Sequence, residues 1–64
     1  MKQLQLSHID GIVLDIGYNE DVQNFVFVQT DNESQPNVKF VHLVEVFVKI
    51  GDIVKVGDSI GYFE

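Results

Sequence analysis

The chain has no cysteine, no tryptophan, no arginine and no alanine, and its one proline is Pro36. Without cysteine there is no disulfide staple, no thiolate metal site and no thiol nucleophile. Basic residues are nearly as scarce: four lysines stand against ten carboxylates, a formal charge of −6. That balance excludes sequence-independent binding to nucleic acid or to an anionic membrane, where cations must neutralise phosphates. Long apolar runs are missing, so no segment reads as a membrane span. The opening Met1-Lys2-Gln3-Leu4-Gln5-Leu6 lacks the unbroken apolar stretch of a secretion signal. The expectation is a soluble, cytoplasmic protein of one domain, residues 1–64.

What is present is β-branched. Eleven valines and six isoleucines outnumber four leucines. Branching at Cβ stiffens the side chain, disfavours helix and suits a pleated surface. No stretch places apolar residues at helical spacing free of β-branched crowding. The class is therefore all-β: a small barrel or sandwich of short, mostly antiparallel strands. A domain this small hides only about 60% of its unfolded surface, and 29 apolar side chains are many to cover. Self-association as a homodimer is expected.

Along the chain, Asp10-Gly11 signals a turn before a strand at Ile12–Ile16, closed by Gly17. Residues 18–24 are polar and suit a connection. Phe25–Gln29 reads as a strand apolar on both faces, as between two layers. Residues 31–37 form the obvious loop, with Pro36 breaking any strand. Val38–Leu43 is strand again, and Val44–Val48 continues it or follows a bend. The tail repeats: Lys49-Ile50-Gly51-Asp52-Ile53-Val54 is followed by Lys55-Val56-Gly57-Asp58-Ser59-Ile60. Glycine takes positive φ freely and the following Asp can bond its own turn backbone. The expected structural turns are Gly11, Gly51, Asp52, Gly57, Asp58 and Gly61, with the paired hexads folding the chain back in short strands.

Several of these residues occur together in one known pattern. Phe40-Val41-His42-Leu43 is followed, without a gap, by Val48, Gly51, Val54, Gly57, Ile60 and Gly61. Upstream stand Asp10-Gly11-Ile12-Val13, then Tyr18 and Asn24. In order and spacing the chain resembles the lysostaphin-type (LytM-like) zinc endopeptidases over residues 9–63. The resemblance implies a barrel-sandwich-hybrid core and makes His42 the counterpart of the histidine that assists the attacking water. It does not bring the zinc ligands: no Asp follows His8 at the family spacing, Thr30 stands where many members place a histidine, and no H-x-H follows Gly61. The implied protein keeps the peptidase framework without its metal set.

A catalytic zinc needs three protein ligands and an open position. With two imidazoles the chain reaches three only by recruiting a carboxylate, as in His8, Asp10 and His42; Asp10 has a simpler role in the turn before Gly11. His42, between Val41 and Leu43, reads as a half-buried imidazole bonded to backbone. Ser7, Ser34 and Ser59 lack the context of a nucleophile. Lys39 is the nearest candidate for a biotinyl or lipoyl lysine, but no methionine flanks it. The ten acids read as a solvated surface or as attraction for a basic partner, in the manner of a nucleic-acid mimic. The overall expectation is a non-enzymatic protein-binding module, with no metal and no cofactor, using an exposed sheet edge or a remnant groove. Its candidate contact residues are Tyr18, Phe25, His42 and Phe47.

Overall fold

Alternation of side chains about a pleated backbone puts Val26 and Val28 inward from one strand, while Phe40 and Leu43, three residues apart on the next, both face inward because the register breaks between them, where His42 takes a left-handed φ of 61°. The computed structural model describes residues 1–64 and contains strands but no helix. The strands are β1 (Gln3–Leu6), β2 (Gly11–Asn19), β3 (Gln23–Thr30), β4 (Val38–Val46), β5 (Ile53–Val54) and β6 (Ser59–Phe63). They form one antiparallel sheet in the order β1-β6-β4-β3-β2-β5, as the all-β composition requires.

The two outer members of that order belong to one long pairing. β1 lies against β6, Gln3 opposite Phe63 and Gln5 opposite Gly61, while β2 lies against β5, Gly11 opposite Val54. Between them Ser7 N–H donates to Asp58 O and Gly57 N–H to Ser7 O, both at 2.8 Å. The N-terminal arm thus follows the C-terminal arm along its length and folds the sheet around one core. Ile9, Val13, Val26, Val28, Phe40, Leu43, Val54 and Ile60 fill that core, with Ile16, Val38, Val46, Val48 and Phe63 packed on its margin. Ser7 turns the arm inward: its buried hydroxyl donates to Ile9 O (2.6 Å) and accepts from Ile9 N–H (3.2 Å).

The hexads fold identically. Asp52 N–H donates to Lys49 O at 3.0 Å and Asp58 N–H to Lys55 O at 2.9 Å. Each aspartate also accepts the lysine amide, Lys49 N–H on Asp52 Oδ2 and Lys55 N–H on Asp58 Oδ2, both at 2.9 Å. Gly51 and Gly57 both hold φ +94°, the value that the third position of a type II turn demands. The turns dock six residues apart on the N-terminal arm, Gly51 N–H on Val13 O and Gly57 N–H on Ser7 O, both 2.8 Å.

Several expectations need adjustment. The hexads do not fold the chain back; each is a local loop on a segment that keeps one direction along residues 7–13. Gly11 and Gly61 are strand residues, not turn residues: a Cβ on Gly11 would land on the Gln29 carbonyl oxygen, and one on Gly61 on that of Glu45. β2 runs through Gly17 to Asn19, and β3 starts at Gln23, because the turn between them is short: Asn19 Oδ1 accepts both Asp21 N–H and Val22 N–H at 2.9 Å. β3 does not lie between two layers; Val26 and Val28 enter the core, while Phe25 and Phe27 are only half-covered. Strand β1, residues Gln3–Leu6, adds to the strands expected from the sequence.

Candidate functional site

Two features of the surface offer binding geometry. The first is a cleft of about 600 Å³ between the β3–β4 loop and the link from β1 to β2. The loop holds its shape through its own polar groups: Asn32 Oδ1 accepts from Ser34 N–H (3.0 Å) and Ser34 Oγ–H (2.7 Å), and Asn37 Oδ1 from Thr30 N–H (3.2 Å). Asp31 N–H donates to Asp10 O at 3.0 Å and ties loop to link. Asp10, Asp31 and Glu33 line the cleft and no lysine does. An adjoining hollow of about 240 Å³ is bounded by His8, Ile9, Gln35, Pro36 and Val38. The His8 ring stands edge-on to Phe40, centroids 5.6 Å apart. Carboxylates concentrated without a counter-cation attract positive charge.

The second is the outer edge of β1. The sheet order ends there, so one side of β1 pairs with no strand. Its alternation is inverted relative to the rest of the fold: Leu4 and Leu6 are exposed, while Gln5 is half-buried. Leu4 lies opposite Tyr62, and the Tyr62 ring meets Phe47 edge-on with centroids 5.1 Å apart. The other end of the sheet, β5, is two residues long and flanked by the two hexad turns. Short edges resist unwanted pairing, as do edges bearing charge or proline. Gln3–Leu6 has neither a charge nor a proline.

The sequence-derived contact residues fall into two places. Tyr18, exposed, is the last but one residue of β2 and lies opposite Asn24, whose side-chain amide donates to Leu43 O at 2.8 Å. Phe25 lies opposite Gly17, where an added Cβ would come within 2.7 Å of its ring, and Lys39 Nζ sits 4.5 Å from the ring centroid. Lys39 therefore lies against an aromatic face, not free at a hairpin tip. His42 is exposed, not half-buried, and takes a left-handed φ of 61° with its N–H donated to Val22 O at 2.6 Å. It occupies the break in register where β3 and β4 shift between Asn24 and Val26. Phe47 is apart from these three, beside Tyr62. None of the four lines the cleft.

No three His, Cys, Asp or Glu side chains gather in a group that could hold a metal ion, so His8, Asp10 and His42 do not assemble into one. Ser7, far from being available as a nucleophile, is buried and committed to Ile9. His8, considered above only as a metal ligand, instead borders the cleft and stands against Phe40. The Gln-Leu-Gln-Leu alternation of residues 3–6 was the legible sign of a strand there.

The fold defines a small all-β domain built on a single antiparallel sheet. No protein-family model, no curated protein and no solved structure matches the chain.

Each residue of the V-x-x-G-x-x-V-x-x-G-x-x-I-G pattern has a scaffold duty. Gly51 and Gly57 make the turns, Val54 and Ile60 fill the core, Val48 packs on its margin and Gly61 admits the Glu45 carbonyl.

Proposed function

We propose that this chain is a non-enzymatic protein-binding module on a framework of lysostaphin type and works by strand addition at the outer edge of β1. The observation that carries the reading is the inverted alternation of β1. A strand that turns its leucines outward and a glutamine toward the fold presents apolar surface that its own core does not use. An added strand would satisfy the unpaired backbone groups of the edge, and the outward leucines would supply side-chain contacts.

A photo-reactive residue in place of Leu6, irradiated in extract of the producing cell, tests this. The expected result is a discrete crosslinked protein that disappears when Leu4→Lys is added. A crosslink indifferent to Leu4→Lys would remove the edge from consideration.

A second reading, attraction of a basic partner, rests on the cleft lined by Asp10, Asp31 and Glu33. It predicts that the same photo-reactive group at Gln35 captures a protein in a salt-sensitive manner, since exposed charges are screened beyond about 10 Å at 0.1 M salt.

A further inference from the structure

We infer that the partner of the β1 edge is a second copy of this chain, joined antiparallel about a two-fold axis at Leu4; the inference rests on the edge reading above and names its occupant. The strand is complementary to its own reversed image. In Gln3-Leu4-Gln5-Leu6, pairing residue i with residue 8 − i sets Leu4 opposite Leu4 of the second copy and Gln3 opposite Gln5. An odd shift would instead set leucine against glutamine on every pair. The register of β1 on β6 is unbroken from Gln3 to Gln5 and shifts between Gln5 and Leu6. The regular stretch is therefore centred on Leu4, which places the axis there. A two-fold contact uses the same patch twice, so a self-complementary strand is what it requires.

Charge supports the same occupant. A molecule of net charge −6 repels its own copy over most of its surface, but the first nine residues contain no carboxylate. The cations at this end, the Met1 amino group and Lys2 with Nζ 5.8 Å from the centroid of the Tyr62 ring, are offset by Glu64, whose Oε1 lies 3.8 Å from that amino group, so the edge is close to neutral and does not repel its copy. In the two-fold register Lys2 falls opposite Leu6 of the second copy, away from the Lys2 it would otherwise meet. The edges then join two sheets into one, with Leu4, Tyr62 and Phe47 of each copy forming an apolar stripe across the junction. A stable interface buries roughly 600–800 Å² per partner, about a sixth of the 4267 Å² surface of one copy.

Sedimentation of the purified protein over a wide concentration range is the test. Wild type is expected to move reversibly from 7.3 kDa toward twice that mass. Leu4→Lys and Leu4→Glu are each expected to lose the dimer, because like charges meet at the axis, and an equimolar mixture is expected to recover a heterodimer. Ile53→Lys, on the opposite end of the sheet, is expected to keep the dimer, and circular dichroism of each variant confirms that the β fold survives. A wild type that stays monomeric throughout, a dimer that persists in both Leu4 variants, a mixture without heterodimer, or loss of the dimer in Ile53→Lys would each overturn the inference. Self-association is read with the purified chain alone. A monomer that still gives a Leu4-dependent crosslink in cell extract therefore separates failure of this inference from failure of the edge reading.

Discussion

Asp10 Oδ1 accepts a hydrogen bond from the Val56 amide at 2.8 Å, across 46 positions of sequence. This contact joins the link between β1 and β2 to the middle of the second hexad turn. It also fixes one wall of the acidic cleft, where Asp10 and Val56 are neighbours.

Asp10→Ala is expected to lower stability by about 1–2 kcal/mol, the scale of a hydrogen bond to a charged group at an exposed site. In a domain this small each kcal/mol moves the thermal midpoint by about 4–8 °C. Thermal melts followed by circular dichroism read the effect. Asp10→Asn, which keeps an acceptor at the same place, is expected to recover at least half of the loss.

The two hexad turns predict matched responses. No atom lies within 4 Å of a Cβ built on Gly51 or Gly57, so alanine meets no clash and its cost is that of φ +94° alone. Each Gly→Ala change is expected to cost about 1 kcal/mol or somewhat more, with the two values within about 0.5 kcal/mol of each other. In a chain made by chemical synthesis, D-alanine at either position is expected to be neutral or stabilising. Urea unfolding compares the three forms directly.

Gly61→Ala is expected to behave differently from both. Its Cβ would occupy the place of the Glu45 carbonyl oxygen, which belongs to the backbone of β4 and cannot swing aside. The junction of β4 with β6 must open to admit it. The expected outcome is loss of a cooperative thermal transition, visible as a collapsed amide spectrum in NMR.

His42 carries a left-handed φ without being glycine, a conformation that costs an L-residue roughly 1–2 kcal/mol. His42→Gly relieves that strain while loosening the unfolded chain, and the expected net effect ranges from neutral to about 1 kcal/mol of stabilisation. Denaturation midpoints decide the matter: a clear loss of stability would mean that the imidazole itself supports the fold.

Leu43 is fully buried between β3 and the edge of β6, opposite both Asn24 and Phe63. Leu43→Ala is expected to cost 2–5 kcal/mol through lost burial and the cavity left behind. Small domains of this kind have only about 5 kcal/mol to lose at the low end of the usual range, so the variant is expected to be largely unfolded at 37 °C by hydrogen exchange.

The β class, the loop at residues 31–37 and the two hexad turns were legible in the residues themselves. Each depends on local chemistry: Cβ branching, a polar run ended by Pro36, and glycine before an aspartate that bonds its own turn. The candidate site was largely not legible. Tyr18, Phe25 and Phe47 stand out as aromatics in any sequence, but Phe25 is spent covering Gly17 and holding Lys39, and only Phe47, resting on Tyr62, lies beside the β1 edge. His8 and Gln35, separated by 27 positions, border one cleft because the β3–β4 loop folds beside the N-terminal link.

By itself, then, the sequence determined the β class, the loop at residues 31–37 and the two hexad turns, since propensity and turn geometry act over a few neighbouring residues. Only the tertiary structure decided which edge stayed open and which way its leucines point. The pairing of residues 3–13 with residues 51–63 is a contact between the two ends of the chain, and no local pattern specifies the register that leaves Leu4 and Leu6 outside.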